Sequence, residues 1–402
     1  MQKITLLLAS ILLRALLAFG QPGASDSSYQ TRRLSVEEVS LMTSYYQQDG
    51  NQSAVTGGRG TEQLTDISNQ LSFTLRLARP DGPTQRLAFT QGVDVYTSAS
   101  SDRIDTVQSS PSRLDVRTYP QLNWSLTNAQ ETQGLRANAS FSTEYDYRSW
   151  GGGVGYWRAS ADQNQRFDAD VQVFLDSWAY ILPLELRPPG YGSGGEDDPL
   201  PIERRARRSA SLSLAYQRVI TPRLQVSVMA DPGWQQGLLS TPFHRVFDET
   251  GQVLTEELPD QRFRLPLGIR AHAFLGRRAI LRLHYRYYWD TWGVQAHTAQ
   301  LELPLKLGAQ WSVSPYLRLH TQSAARYYEP YATHPKGSEL RTSDADLSAL
   351  NSAMAGVHLR YRAIDGFFDL AGWNLIELRL GAYRQSRGLD AQIVTLRTGY
   401  AF

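Results

Sequence analysis

An all-β chain, closed in a membrane as an antiparallel up-and-down β-barrel of about sixteen strands, is the fold class the sequence predicts. Three observations carry it. Apolar and polar residues alternate with period two in stretch after stretch, as strands with one buried face require. Beyond the N-terminus no segment approaches the run of about 18 apolar residues that a membrane helix needs. The chain ends on an aromatic strand, with Val394, Leu396, Thr398, Tyr400 and Phe402 on one parity. An unpaired apolar edge invites aggregation, whereas a strand that closes a barrel in lipid leaves no edge.

Composition agrees. Of 402 residues, 41% are hydrophobic and 11% aromatic, with 21 Tyr and 9 Trp, the residues of interfacial girdles. There is no Cys, hence no disulfide framework, thiolate metal site or Cys nucleophile. A net charge of +2 argues against nucleic-acid binding by bulk charge. Lys3 followed by the apolar run Ile4–Leu17 and by Ala18-Phe19-Gly20 reads as a secretory signal over residues 1–20, cut before Gln21. Residues 21–35 read as a periplasmic tail and 36–402 as the barrel.

The strands follow in order. The first covers Val36 to Gln48, and the Gly-rich Asp49–Thr65, carrying Thr56-Gly57-Gly58-Arg59-Gly60, reads as a flexible loop. Ile67, Leu71, Phe73, Leu75 and Leu77 mark the second, which ends at the turn Pro80-Asp81-Gly82-Pro83. Leu87–Val95 and Leu114–Leu126 carry the third and fourth, separated by Ser98–Pro111. The fifth is the cleanest alternation, Leu135 through Tyr147. The sixth, Val154–Ala161, follows a bend predicted at Gly151-Gly152-Gly153, and the seventh holds Phe167–Leu175. A long connection, Leu182–Arg208, with the blocks Glu196-Asp197-Asp198 and Arg204-Arg205, leads to the eighth (Leu212–Tyr216) and ninth (Leu224–Val228). After Gly233–Gln261 come the tenth (Leu265–Leu275), eleventh (Ala279–Trp289), twelfth (Leu301–Leu305) and thirteenth (Val313–Leu319). The polar Tyr327–Ser343 precedes the fourteenth (Ala355–Tyr361), then the fifteenth (Ile376–Ala382) and the closing strand. Even-to-odd connections are mostly short and odd-to-even ones often long, the pattern of short periplasmic turns and longer extracellular loops. An even count puts both termini in the periplasm of a bacterial outer-membrane protein.

Several stretches resemble one bacterial family of outer-membrane barrels, catalogued as domain of unknown function 3570: Val55–Glu62 (VTGGRGTE), Ser98–Asp105, Ser142–Ser149 with Asp162–Phe167, Gly237–Phe247 (GLLSTPFHRVF), Arg286–Thr298 (RYYWDTWGVQAHT) and Leu317–Tyr328. The resemblance implies an outer-membrane barrel and brings no activity, so no catalytic residue is carried over from it. The closing strand, through Tyr400 and Phe402, resembles the signal by which the barrel-assembly machinery recognises its substrates.

With apolar residues facing outer-membrane lipid, the other parity faces the lumen. Asp94, Asp115, Glu144, Asp146, Asp168 and Asp170, diluted by Arg86, Arg117, Arg136, Arg148 and Arg158, predict an acidic wall. Arg270, Arg282, Arg286, Arg318, Arg360, Arg379 and Arg397 predict a basic wall. Such a lumen sets up a field that selects small polar or anionic solutes if it is open; if it is packed, the same residues form a structural ladder of ion pairs. His272, His284, His320 and His358 share the basic wall, where neighbouring Arg repels a cation, so no metal ligand is assigned; no cofactor is expected either. His244 and His297 lie nearer rims or loops. No Ser–His spacing singles out a hydrolase dyad. Tyr285, Tyr287, Tyr288, Trp289 and Trp292 read as girdle residues, the alternative being a sugar platform. The sequence thus points to a porin-like channel, with a surface-binding barrel that uses its long loops second and a rim hydrolase third.

Overall fold

Each alternating stretch pairs with its chain neighbours and the last with the first, so the ladder groups find partners within the sheet, as a lipid-embedded sheet demands. The computed structural model describes residues 33–78, 82–97, 114–182, 187–190, 204–368, 370 and 372–401. The predicted signal segment, the tail up to residue 32, Ser98–Asp105, the Glu196-Asp197-Asp198 block and Phe402 lie outside the described residues.

The strands are β1 (Arg33–Asp49), β2 (Leu64–Ala78), β3 (Thr84–Thr97), β4 (Leu114–Thr127), β5 (Gln133–Thr143), β6 (Tyr147–Ala159), β7 (Gln165–Trp178) and β8 (Arg205–Thr221). The second half comprises β9 (Leu224–Ala230 with Gly233–Gly237), β10 (Gln261–Leu275), β11 (Ala279–Asp290), β12 (Gln295–Glu302 with Leu305–Lys306), β13 (Trp311–Gln322), β14 (Leu350–Arg362), β15 (Trp373–Gln385) and β16 (Asp390–Ala401). The sheet holds 18 hydrogen-bonded segments. Those of β9 and β12 are each one strand interrupted at Pro232 or Pro304, which offer no ladder N–H, so the barrel has sixteen strands. β16 closes the cylinder on β1, with Tyr400 opposite Val39 and Val394 opposite Tyr45. β1 starts at Arg33, earlier than the expected Val36.

The expected apolar parity faces outward. Leu135, Val154, Phe167, Val171, Leu267, Leu283, Leu301, Leu317 and Leu396 are all exposed on the outer surface, which makes this a transmembrane barrel of the outer-membrane type. Aromatics gather at both ends of that band. Phe141 lies 4.5 Å from Trp150 and Phe263 6.4 Å from Trp289 at the end carrying the odd-to-even loops. Trp311, Tyr361, Phe367 and Trp373 form a chain of ring contacts at the other.

Three expectations need correction around β6. The glycine triplet is no bend but lies inside the strand, paired with β5 and β7. Gly151, Gly153 and Gly155 face the lumen, and the side chains of Ser140, Phe174, Gln172 and Asp170 lie where their Cβ atoms would be. The turn is instead Glu144–Asp146, so these two acids sit on the rim rather than on a strand. The turn also resets the parity: Arg148 and Arg158 share the outward face with Trp150 and Val154 and leave the lumen wall.

The most deeply buried side chains lie outside the barrel strands, except Asp290 at the very end of β11. Val246, Asp248, Asp290, His334, Thr342 and Ser348 all lie at the loop end. There, loops 50–63, 238–260 and 323–349 pack into a cap. In a ring of sixteen strands the β1–β2 and β9–β10 connections are diametrically opposed, and the β13–β14 connection lies a quarter-turn from each. Contact between them therefore reaches across the mouth, over the half of the barrel that carries β10–β16.

Candidate functional site: the lumen wall and its cap

The acidic side of the lumen is largely neutralised by its own arginines. Arg136 Nη2 donates to Asp168 Oδ1 at 2.9 Å and to Asp170 Oδ2 at 2.8 Å. Arg166 binds Asp168 at 2.8 Å, and Arg207 binds Asp176 at 2.8 Å. Glu144 accepts from the Tyr96 hydroxyl at 2.6 Å and lies 3.6 Å from Arg117. Asp94, opposite Arg117 in register, accepts from Ser68 Oγ and the Tyr119 hydroxyl. Asp115 stands opposite Tyr96, and Asp146 accepts from Trp178 Nε1 at the rim. On this side the ladder prevails over the field, because Asp94, Glu144, Asp168, Asp170 and Asp176 each have a partner that offsets desolvation.

The other side differs. Arg282 pairs with Glu302 at 3.3 Å, and Glu377 takes both Arg360 (3.4 Å) and Arg397 (3.1 Å). Arg397 also reaches Glu38 at 2.6 Å across the closing seam. Arg270, Arg286, Arg318 and Arg379 have no carboxylate partner among the described residues; Arg379 lies over the Tyr316 ring at 5.0 Å. Register sets Arg270, His284, Gln300 and Arg318 on one transverse rung across β10–β13, with Arg286 on the next rung toward the loops. A recess of about 270 Å³ is lined by Arg270, His272, Arg282, His284, Gln300 and Glu302. Lumen arginines such as Arg282 and Arg360 keep 43% of their side-chain surface accessible, so the wall faces space rather than a packed core. His320 is held by Thr298 and Gln322, as expected of a hydrogen-bonded lumen histidine.

The predicted girdle splits. Tyr285, Tyr287 and Trp289 share the outward parity, and Tyr285 bonds His297 Nδ1 at 2.7 Å. Tyr288 faces inward and donates to Asp290. Trp292 is buried, with Arg262 stacked over it at 4.2 Å. Asp290 accepts from the backbone N–H of Trp292 and Val294, making RYYWDTWGV a tight, capped turn.

The expectation of a flexible glycine loop is overturned. Gly57 and Gly58 both have positive φ, +82° and +85°, which glycine adopts without the cost a side chain adds. Gly57 packs on the Phe247 ring and Gly58 on the Ser343 carbonyl. Arg59 stacks over Tyr331 at 4.6 Å, and buried Arg245 donates to the Val55 carbonyl. The hairpin Arg245–Phe247 with Val253–Thr255 bridges to the third loop through Asp248 with His334 and Glu257 with Arg341. Two stretches noted for their resemblance, VTGGRGTE and GLLSTPFHRVF, thus meet as the keystone of the cap.

At that junction lies a cluster that sequence reasoning missed. His244, Glu256 and Asp344 bring their donor atoms within 4.8 Å of one another. Burial and the neighbouring Asp346 and Asp344 push the Glu62 carboxyl up to about 7. Burial raises Asp344 to about 6 against the pull of His244. Glu256 is held below the ordinary carboxylate range, because the adjacent His244 together with the Thr342 hydroxyl and the Thr241 N–H outweighs its burial; reciprocally, the charge of Glu256 raises His244. The cluster joins His244 and Glu256 of one loop to Asp344, about 90 residues further along the chain, so no spacing could reveal it.

A sequence model of one family, described as protein of unknown function (DUF3570), matches residues 5–393. The chain belongs to this family. No curated protein matches this DUF3570 member in sequence. In backbone trace it is similar to a BenF-like porin from Pseudomonas fluorescens Pf-5 (TM-score 0.43, 8% identity, covering 93% of this chain and 100% of that one). It is similar also to Pseudomonas aeruginosa OccD3 (OpdP) (TM-score 0.44, 7% identity, 96% and 97%). A third is a bacterial polysaccharide outer membrane secretin (TM-score 0.45, 10% identity, 90% and 98%). The strand pairing, not these likenesses, establishes the barrel.

Proposed function

We propose that this protein is a non-catalytic outer-membrane channel whose lumen passes small anionic solutes. The observation that carries the reading is a set of arginines with no carboxylate partner among the described residues, Arg270, Arg286, Arg318 and Arg379, on one wall, opposite a wall whose Asp168, Asp170 and Asp176 pair with their own arginines. Unpaired guanidinium groups in a narrow aqueous space attract anions and repel cations. The termini and short turns lie in the periplasm and the cap faces outward, with Tyr400 and Phe402 serving assembly. A second reading, a surface-binding barrel that conducts nothing, draws on the packed cap over the mouth.

Planar-bilayer conductance with the triple variant Arg270→Glu, Arg286→Glu and Arg318→Glu tests this. A charge about 6 Å from a passing ion in water is worth about 0.7 kcal/mol. Screening in 0.1 M salt cuts that to roughly half. Reversing three charges is then worth about 2 kcal/mol, more than a tenfold loss of anion preference. Absence of conductance steps from the folded wild-type protein, or selectivity unchanged in the variant, overturns the channel reading.

A further inference from the structure

We propose that His244, Glu256 and Asp344 form a binding site for a divalent transition-metal ion of the zinc class, which staples the cap together. His244 and Glu256 come from loop 238–260 and Asp344 from loop 323–349, so one ion joins two loops that rise from different strand pairs.

The donor set has the chemistry. One imidazole nitrogen and two carboxylates suit zinc, cobalt or nickel and discriminate against calcium and magnesium, which prefer oxygen alone. His244 Nδ1 lies 3.6 Å from Glu256 Oε1, close to the separation of neighbouring ligands around an ion bound at about 2.0–2.2 Å. That nitrogen is sealed from solvent and has no hydrogen-bond partner. A buried ring nitrogen left without a bond is costly unless something else fills its lone pair, and it is directed at the carboxylates.

The surroundings fix the ligands as an outer sphere does. Glu256 Oε2 accepts from the Thr241 N–H at 2.6 Å, and Oε1 accepts from the Thr342 hydroxyl at 2.5 Å. The same Thr342 oxygen accepts from the Asp344 N–H at 3.0 Å, so one residue orients both carboxylate ligands. Asp344 Oδ1 accepts from the Asp346 N–H at 3.0 Å. Glu62, from the first cap loop, and Asp346 add negative charge around the site. Three protein ligands leave a coordination position for water, while the tight outer sphere points to a structural rather than a catalytic ion.

The test uses the full chain, folded in detergent and stripped with a chelator. Zn²⁺ is titrated calorimetrically and Co²⁺ by its visible absorption. The expected result is one equivalent of Zn²⁺ and a cobalt spectrum typical of mixed nitrogen and oxygen ligands. His244→Gln and Asp344→Asn should weaken binding beyond the roughly 10–100-fold that outer-sphere changes produce. His320→Gln, a lumen substitution, should leave it unchanged. In the unaltered chain Zn²⁺ should protect loops 238–260 and 323–349 from proteolysis, a readout that does not depend on how the variants fold. No stoichiometric Zn²⁺ binding, binding that survives both cap substitutions, loss with His320→Gln, calcium in place of zinc, or no protection of the wild-type loops each overturns the proposal. None of these readouts involves conductance.

Discussion

Replacing Gly58 by alanine separates a packed cap from a loosely lying loop. Gly58 has φ +85°, and a Cβ there would stand 2.5 Å from the Ser343 carbonyl oxygen. The left-handed conformation alone costs a non-glycine residue about 1–2 kcal/mol. The steric conflict involves backbone, so loop 50–63 must move away from loop 323–349; overpacking of this kind costs about 1–3 kcal/mol. The sum is about 3 kcal/mol against the closed cap, roughly a hundredfold rise in its open population. Gly251 supplies the control. It lies in the same cap with φ +82° and has nothing within 4 Å of its Cβ position, so Gly251→Ala carries only the first cost. Hydrogen exchange of the Arg245–Phe247 amides, or limited proteolysis of loop 238–260, reads the difference. Gly58→Ala should accelerate both tenfold or more beyond Gly251→Ala, with the barrel's gel mobility unchanged. Equal rates in the two variants would refute the close packing of the loops.

Two further outcomes follow from burial and packing. His334 is fully buried, and its Nε2 donates to the Thr342 carbonyl at 3.1 Å; burial holds its pKa below the ordinary value. A depressed histidine contributes stability that is present above about 6.5, its unfolded pKa, and is lost as pH falls below it. Glu62 and Asp344 act in the opposite sense, since their raised pKa values remove stability as pH rises through about 7 and about 6. The ratio of cap protection in His334→Gln to that in wild type isolates the histidine; in metal-free protein it should climb between pH 7 and pH 5, and a constant ratio contradicts this. In β6, Gly153→Val would place Cβ 2.7 Å from the Val171 carbonyl, whereas at the outward Gly152 the nearest atom is 3.7 Å away. Refolding into vesicles should therefore suffer with Gly153→Val, by about 1–3 kcal/mol, and tolerate Gly152→Val; equal yields would show that the glycine stripe is incidental.

Strand identity was legible wherever side chains obey period two, because a barrel strand needs only its immediate neighbours. The same rule predicted that β16 closes on β1 and that Arg397 points inward, where it joins Glu38 and Glu377. Parity failed at Tyr145–Arg148. The three-residue turn Glu144–Asp146 continues the alternation of β5 in composition while breaking it in space. Charge on the lumen wall was legible, but pairing was not: Arg136 bridging Asp168 and Asp170 depends on a register two strands away. The cap was least legible. Gly57 and Gly58 permit a left-handed backbone, but only the Phe247 ring and Ser343 carbonyl beside them distinguish a keystone from a hinge.

The placement of the three cap loops imposes an order on biogenesis. Arg245 and its acceptor Val55 are 190 residues apart, and the third loop follows β13. Local pairing of neighbouring strands can proceed in any sequence, but these loops meet only when the ring has brought β1–β2 opposite β9–β10. An open sheet would splay them apart, and the long connecting segments would pay the full entropy of being drawn together. The cap is therefore a latch that engages only on a completed cylinder, and a fluorophore beside Phe247 would time ring closure without reporting on insertion.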